Sequence, residues 1–236
     1  MDRRVDFHSH ILPGVDDGSR SVEESLEMLR AEARQGIGTV VATPHFYANH
    51  DTPERFLRRR AAAWEMLQTA MAQEAGLPEV ILGAEVYYFS GISDSDQLHR
   101  LTTGQKRYIM LEMPTVPWTQ NMYQEMENIY TKHGITPIIA HIDRYISPLR
   151  YRQILERLEN LPVLVQANSA FFLRPTTAPL ALRMLKEKRI HLLGSDCHNC
   201  STRKPELGRA IEKIEKHLGA SALEHLRFYE ETVLGK

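Results

Sequence analysis

Five short apolar segments of this chain each end in histidine or a carboxylate. They are Asp6-Phe7-His8-Ser9-His10, Thr43-Pro44-His45, Gly83-Ala84-Glu85, Ala140-His141 and Ser195-Asp196-Cys197-His198. Parallel strands that alternate with helices bring their carboxyl ends to one rim, where such folds carry their chemistry. Histidine, aspartate and glutamate are the usual protein ligands of hydrolytic metal sites. The pattern therefore predicts an α/β fold whose strand ends assemble a metal centre.

Strand and helix patterns alternate along the whole chain. We predict seven strands, over residues 5–8, 39–43, 80–86, 108–113, 135–140, 163–167 and 190–193. Helical patterns begin near residues 21, 53, 121, 148, 177, 205 and 221, and Ser21 with Glu24 has the spacing of a capping box. Such alternation indicates a parallel sheet. The long irregular stretch from Phe89 to Lys106 is predicted to be a rim loop or lid.

Composition is that of an ordinary globular chain. A length of 236 residues suits a single α/β barrel, so we predict one domain over residues 1–236. The net charge of −1 gives no general attraction to nucleic acid or anionic membranes. Two cysteines argue against a disulfide scaffold, and the sequence shows neither a signal core nor a membrane-spanning run. These features predict a cytoplasmic enzyme without membrane insertion and without a nucleic-acid partner.

Residue spacing supports the metal hypothesis at several positions. His8 and His10 lie two residues apart on a strand, so their side chains point the same way. Glu85 and Glu112 end buried strands, where an unpaired carboxylate is costly. The segment Asp16-Asp17-Gly18 fits a turn as well as it fits a metal rim, and the residues alone leave both interpretations open.

These segments resemble, in the same order from the first strand to the last, the motifs of the polymerase and histidinol phosphatase (PHP) superfamily. The runs HSHILPGVDDG from His8 and GAEVYY from Gly83 are similar to the bacterial manganese-dependent protein-tyrosine phosphatases of capsule and exopolysaccharide clusters. The resemblance implies a distorted (β/α)7 TIM-like barrel of the PHP type. The chain departs from the family pattern at Ile142-Asp143, where Pro-Glu is usual, and at Cys197, where alanine is usual.

The resemblance also implies nine metal ligands around three metals, with Glu85 as the bridge. By position they are His8, His10, Glu85 and Asp196 for one metal, Asp17, His45 and His198 for a second, and Glu85, Glu112 and His141 for a third. Asp17 is chosen because the family's ligand directly precedes the glycine, and Asp16 remains the alternative. Arg144 and Arg203 match phosphate-binding arginines, and catalysis is assigned to them with Asp196 and His198.

The implied chemistry is hydrolysis of a phosphate monoester. Three cations can bind the phosphate, offset charge on the leaving oxygen and lower the pKa of a bridging water, so that a metal-bound hydroxide forms near neutral pH. Arginine offers a planar fork to the remaining phosphate oxygens. Histidine and carboxylate ligands suit manganese, iron or zinc, and the resemblance implies manganese. We therefore predict hydrolysis of phosphotyrosine on protein, with a bacterial tyrosine kinase that controls capsule or exopolysaccharide synthesis as the substrate.

Three other functions fit parts of the pattern. A small-molecule phosphatase such as histidinol-phosphatase shares the ligand set, and a TatD-like metal nuclease also opens with two histidines on a barrel strand. The pair Asp196 and His198 favours the PHP pattern, and the lack of a basic stripe disfavours a nuclease. The alternative of a different class is a non-catalytic regulatory module that binds metal. The complete ligand set argues against that module.

Two cysteine motifs overlap the last ligand segment. Cys197 and Cys200 have the C-x-x-C spacing of redox proteins, and Cys197 with Arg203 has the C-x5-R spacing of cysteine-dependent phosphatases. The first motif needs a thioredoxin-like context, and the second needs a glycine-containing phosphate cradle that leads into a helix. The intervening residues His-Asn-Cys-Ser-Thr contain no glycine. We therefore predict that Cys197 is a small strand residue.

Overall fold

A computed structural model describes residues 4–104, 107–146 and 151–235. Within them, the strand segments are β1 (Arg4–Ser9), β2 (Ile37–Ala42), β3 (His45–Phe46), β4 (Glu79–Leu82), β5 (Glu85–Tyr87), β6 (Tyr108–Glu112), β7 (Thr136–Ile139), β8 (Leu164–Asn168) and β9 (Leu192–Gly194). The helices are α1 (Val22–Arg34), α2 (Pro53–Met71), α3 (Gln120–His133), α4 (Tyr151–Leu158), α5 (Ser169–Leu173), α6 (Ala178–Lys186), α7 (Leu207–Leu218) and α8 (Ala220–Leu234). Strands and helices alternate, as predicted.

All pairings between these strand segments are parallel. They run in the orders β1-β2-β4 and β3-β5-β6-β7-β8-β9. The first and last strands also meet, because His10 N donates to Cys197 O at 2.9 Å and Asp196 N donates to His8 O at 2.8 Å. The result is a mixed α/β fold with a curled parallel sheet, consistent with a distorted TIM-like fold.

One predicted strand is interrupted in the structure, and another is followed after a short break by a strand, β3, that was not predicted. The strand predicted over residues 80–86 is divided into β4 and β5 by Gly83 and Ala84, and Thr43 and Pro44 separate β2 from β3 in the same way. Pro44 has no amide hydrogen to donate to a ladder. At Gly83 a side chain would meet the Thr103 hydroxyl at 2.2 Å, so the chain passes a neighbouring segment closely there. A single continuous strand was therefore the wrong prediction for residues 80–86.

The helix ends follow local capping chemistry. Ser21 caps α1 by accepting a hydrogen bond from Glu24 N at 3.2 Å, which confirms the predicted cap. The Glu24 carboxylate accepts from Arg20 N at 2.9 Å, one residue before the cap itself. Helix α5 was not predicted, because it is a single short turn directly after β8. The predicted start of the fourth helix at Pro148 lies outside the described residues.

The segment after β5 is packed rather than open. Ile92, Leu98 and Leu101 are buried, and short 3-10 turns form at Ile92–Asp94 and Leu98–Arg100. The predicted end of this segment, at Gln105 and Lys106, lies outside the described residues. Residues 89–104 thus form a loop with two 3-10 turns that packs on the core, and its role as a rim loop or lid stays a prediction.

Helix α8 closes the end of the sheet opposite the predicted ligands. Val233 of α8 packs with the apolar residues that point to the inside of the curled sheet. Those residues are Val5, Phe7, Val41, Met110, Ile138, Ala140 and Leu192. A second and larger apolar cluster fills the space between the outside of the sheet and the surrounding helices. The interior of the curled sheet is thus filled by apolar side chains beneath the strand ends that carry the ligands.

Removing this contact should destabilise the chain. We expect Val233→Ala to lower the free energy of unfolding by about 1.5–3 kcal/mol, because it loses a buried side chain and leaves a cavity. Phe228 lies on the same helix and is 62% exposed, so Phe228→Ala should change stability by less than about 0.5 kcal/mol. Urea unfolding followed by circular dichroism measures both. Equal effects of the two substitutions would contradict the assigned packing.

Candidate metal centre

The buried carboxylate of Glu85 lies at the middle of the predicted ligands. Glu85 is the first residue of β5 and is 1% exposed. Its Oε2 lies 3.1 Å from His8 Nε2, 3.3 Å from His10 Nε2 and 3.1 Å from His45 Nδ1. Its other oxygen, Oε1, lies 2.7 Å from His141 Nε2. One carboxylate thus contacts four imidazoles, all of them on or beside strands other than its own.

The two aspartates of the first loop have different positions. Asp17 Oδ1 lies 3.5 Å from His45 Nε2 and 3.4 Å from His198 Nε2, so Asp17 faces the cluster. Asp16 stands behind it, where Oδ2 lies 2.7 Å from His10 Nδ1 and accepts a hydrogen bond from His45 N at 2.9 Å. Asp16 therefore orients His10 and leaves the other ring nitrogen of that histidine directed at the cluster.

Two arginines bridge carboxylates at the mouth of the cluster. Arg144 donates to Glu112 Oε1 at 2.9 Å and to Asp196 Oδ2 at 2.8 Å. Arg203 donates to Asp196 Oδ1 at 2.7 Å. Their side chains are 34% and 39% exposed, so both guanidinium groups reach solvent beside the buried ligands. Glu112 also lies 3.6 Å from His141 Nε2, through its Oε1 atom. The structure thus brings all nine predicted ligands and both predicted arginines to one place.

Two of these residues have unusual backbone conformations. His141 has φ of 32° and Asp196 has φ of 54°, in the left-handed region that side chains other than glycine rarely adopt. Such strain is concentrated at functional sites, where the surrounding structure holds it in place. Each residue comes two positions after the end of a strand, His141 after β7 and Asp196 after β9. The left-handed backbone there turns the chain so that the side chain lies in the cluster.

The carboxylates of the cluster have shifted pKa values. Burial alone would raise the pKa of Glu85, but the imidazoles of His8, His10 and His141 hold it well below its ordinary value. The pKa of Asp196 is also held well below its ordinary value, because His8 and His10 outweigh its burial. Burial and the nearby charge of Glu85 raise the pKa of Glu112 to about 7. Two buried carboxylates are therefore ionised at neutral pH.

The imidazoles of the cluster also have shifted pKa values, in two opposite directions. Burial lowers the pKa of His198 to about 4 and also lowers that of His141, so both rings are neutral and retain a free electron pair. His8 and His10 are buried too, yet nearby carboxylates raise the pKa of each. Metal ligation needs neutral imidazoles and ionised carboxylates, and a bound cation would supply the positive charge that these carboxylates attract.

The donor set fits metal ions. Buried His45 Nδ1 and His198 Nε2 make no hydrogen bond, although buried polar atoms normally have a partner. Donor atoms lie within 4.8 Å of one another in three groups that could each hold an ion. These groups are His10, Asp17, His45 and His198, then His8, His10 and Glu85, then His45, Glu85 and Glu112. Nitrogen and oxygen donors of this kind suit manganese, iron or zinc.

Sequence reasoning missed two residues that support this centre. Gln166 of β8 accepts a hydrogen bond from His141 N at 2.6 Å, and its Oε1 lies 3.4 Å from His8 Nδ1. Its amide donates to Asn168 Oδ1 at 3.1 Å, and Asn168 in turn donates to Asp196 Oδ2 at 2.9 Å. The available signal was the polar pair at alternate positions near the end of an otherwise apolar strand.

Aromatic side chains flank the centre on two sides. The ring of Tyr47 lies 5.2 Å from that of His45 and 5.6 Å from that of Tyr87. Opposite them, the hydroxyl of Tyr145 lies 3.2 Å from His141 Nδ1 and accepts a hydrogen bond from Met113 N at 3.0 Å. The Tyr145 ring leads into a groove of about 1000 Å³ that is also lined by Trp118, Tyr123 and Arg157. The centre therefore opens beside a groove lined by aromatic and polar side chains.

Comparison with known proteins places this arrangement in a family. The family described as "Capsular polysaccharide synthesis, CpsB/CapC" matches residues 4–234. The chain belongs to the CpsB/CapC family. It is 31% identical over 231 residues to tyrosine-protein phosphatase YwqE of Bacillus subtilis, covering 92% of this chain and 85% of that one. It is 29% identical over 237 residues to tyrosine-protein phosphatase CpsB of Streptococcus pneumoniae, covering 94% of each.

A solved structure shares the fold of this CpsB/CapC-family chain. It belongs to the crystal structures of YwqE from Bacillus subtilis and CpsB from Streptococcus pneumoniae, described as unique metal-dependent tyrosine phosphatases. The TM-score is 0.83 at 27% identity, over 98% of this chain and 94% of that one. In the part of the chain that the structure describes, no helix has the length and apolar character needed to span a membrane.

The support from β8 makes a specific prediction. Gln166→Leu removes the acceptor for His141 N and the contact to His8, so we expect metal affinity to fall by about 10–100-fold. Gln68 is exposed on α2, and Gln68→Leu should leave the affinity unchanged. Calorimetric titration of metal into chelated protein measures this difference. Unchanged affinity in folded Gln166→Leu would show that the hydrogen bonds from β8 do not position the ligands.

Proposed function

We propose that this chain is a metal-dependent phosphatase that hydrolyses phosphotyrosine on protein. The observation that carries the proposal is the cluster around Glu85, with two half-exposed arginines at its mouth. A phosphate dianion needs concentrated positive charge, and a cluster of cations with guanidinium groups beside it supplies that charge. Membership of a family whose relatives carry the name tyrosine-protein phosphatase supports the same function.

The ligands are proposed to hold three metals, with manganese as the metal and iron or zinc as alternatives. The first is assigned to His8, His10, Glu85 and Asp196, the second to Asp17, His45 and His198, and the third to Glu85, Glu112 and His141. When bound, such ions polarise the phosphate and activate water for attack on it. The contacts of Asp17 with the imidazoles of His45 and His198 support its choice over Asp16, whose Oδ2 instead contacts His10 Nδ1 and the backbone N of His45.

The chain's own side chains then bind and orient the substrate. Arg144 and Arg203 are proposed to donate charge-assisted hydrogen bonds to the phosphate oxygens, since both guanidinium groups lie beside the ligands and reach solvent. The rings of Tyr47 and Tyr87 are placed to contact an aromatic leaving group beside His45. Asp143, at the departure from the family pattern, accepts a hydrogen bond from Asn168 N and so fixes the turn that carries Arg144.

The architecture and setting of the protein complete the proposal. The nine strand segments are proposed to act as seven strands of a distorted (β/α)7 barrel, since β2 and β3 are separated by two residues, as are β4 and β5. Residues 1–236 are proposed to form one domain in the cytoplasm. The proposed substrate is a bacterial tyrosine kinase of capsule or exopolysaccharide synthesis, supported by the family's description as capsular polysaccharide synthesis.

A cysteine mechanism does not fit the geometry. Cys197 is fully buried, and burial together with nearby Glu32 and Asp6 raises the pKa of its thiol well above the ordinary value. A phosphatase nucleophile of this kind has to be an accessible thiolate. Cys200 is exposed, but the C-x5-R spacing belongs to Cys197.

The activity can be tested directly on a tyrosine-phosphorylated peptide. We expect hydrolysis to stop after chelation, return when manganese is added and continue in the presence of a thiol alkylator. The double variant Asp196→Ala/His198→Ala should reduce kcat/KM by on the order of 10³-fold, because several kcal/mol of charge stabilisation are lost. A matched phosphoserine peptide and a small phosphate monoester, assayed in parallel, compare protein phosphotyrosine with other substrates.

Three results would overturn this function. Activity that survives chelation but is lost on alkylation would assign the chemistry to cysteine. A preference for the small monoester by orders of magnitude would favour a small-molecule phosphatase. Retention of metal without turnover of any of these substrates would instead identify a non-catalytic metal-binding module.

The two first-loop aspartates provide a separate test of the ligand assignment. We expect Asp17→Asn to lose one bound metal per chain, because Asp17 contributes a donor atom to the cluster. Asp16→Asn should retain that metal but bind metal about 10–100-fold more weakly, because Asp16 orients His10. Metal analysis of dialysed protein and calorimetric titration distinguish the two. The reverse pattern would make Asp16 the ligand.

A further inference from the structure

A second group of potential metal ligands lies outside the sheet, beneath α1. It consists of Asp6 on β1, Glu32 on α1 and Cys197 just after β9, all fully buried. Their donor atoms lie within 4.8 Å of one another. None of the three belongs to the nine ligands of the centre described above. The backbone of Asp6 and Cys197 is close to that centre, but their side chains meet Glu32 on the helix side of the sheet.

The hydrogen bonding of this group is incomplete. Asp6 Oδ1 accepts from His8 N at 3.1 Å and from Ser195 N at 2.8 Å, whereas its Oδ2 has no hydrogen-bond partner. Glu32 reaches into the group from α1, and neither of its carboxyl oxygens makes a hydrogen bond. Among the described residues, no lysine or arginine pairs with Asp6 or Glu32. A buried carboxylate without a cation is strongly unfavourable.

Two arrangements can relieve this charge. The carboxyl groups of Asp6 and Glu32 are close enough to share a proton, and burial and the neighbouring Asp6 raise the pKa of Glu32 well above its ordinary value. Alternatively, a cation occupies the space between the two carboxylates and the sulfur. The proton would satisfy the carboxyl pair, but it would give no role to the sulfur of Cys197, which lies within 4.8 Å of a carboxyl oxygen of each.

We propose that Asp6, Glu32 and Cys197 form a separate site for one divalent cation of the zinc class. Zinc accepts thiolate and carboxylate ligands together, whereas manganese prefers oxygen and nitrogen donors. In a tetrahedral zinc site, ligand atoms lie roughly 3.3–3.8 Å apart, a separation that follows from metal–ligand distances of about 2.0–2.3 Å. The Ser195 hydroxyl lies beside the group, where its oxygen accepts a hydrogen bond from Cys197 N at 3.1 Å, and it offers a fourth donor.

The site would have a structural role. An ion held there would join α1 to β1 and to the segment after β9. His8 and His10 lie on or directly after β1, and Asp196 and His198 lie in the segment after β9. Binding would release the protons otherwise held by Glu32 and Cys197. Because all three side chains are fully buried, the ion would be taken up as the chain folds.

Cobalt provides a readout that belongs to this site alone. The nine ligands around Glu85 offer only nitrogen and oxygen, so only a site with cysteine can give a thiolate-to-cobalt charge-transfer band in the near ultraviolet. Protein produced in medium supplemented with cobalt should show the band. The band should be lost in Cys197→Ala and in the isosteric Glu32→Gln, and retained in the control Cys200→Ala, which removes an exposed cysteine.

Metal analysis of protein produced with zinc gives the second measurement. Wild type and Cys200→Ala should each hold one more ion per chain than Cys197→Ala and Glu32→Gln, and circular dichroism confirms that each variant is folded. No band in the wild type together with equal zinc content would assign a shared proton and overturn the proposal. A band lost only in Cys200→Ala would also overturn it. Neither measurement depends on phosphatase activity, so the two proposals fail independently.

Discussion

The buried negative charge of Glu85 is the constraint on which the rest of the site depends. A carboxylate that is 1% exposed is tolerated only if positive charge or well-placed donors surround it. Four imidazoles do so here, carried by β1, by β3 and by the turn after β7. Each of those elements must therefore reach the same rim of the sheet. The parallel arrangement of the strands is what lets their side chains surround the Glu85 carboxylate.

The interruptions in the sheet serve this arrangement. His45 is the first residue of β3 and Glu85 is the first residue of β5, and the two are paired in register. Each follows a two-residue break that contains a proline or a glycine. A continuous strand would keep the alternation of its side chains fixed along its length, whereas a break resets it. The two breaks thus let buried apolar strands end in polar residues directed into the same space.

The sequence predicted the alternation of strands and helices, because apolar β-branched runs and capping residues such as Ser21 are local signals. It also pointed to the residues that meet around Glu85, because histidines at strand ends are unusual in an apolar context. It could not decide between Asp16 and Asp17, since both suit the same turn. Gln166 was overlooked because a single glutamine within an apolar strand gives no sign of which side chains it meets. Glu32 was hidden because one acidic residue on an amphipathic helix gives no sign that it faces inward.

The contact between β1 and the segment after β9 has a consequence for how the protein is made. His8 and Asp196 lie near opposite ends of the chain, and the backbone bonds that bring them together are among the least local in the fold. Contacts of this kind slow folding, because closing the long intervening loop costs entropy before the contacts contribute. During synthesis the rim stays incomplete until β9 has left the ribosome. A metal ion whose ligands include Asp196 or His198 would therefore stabilise only chains that extend past β9.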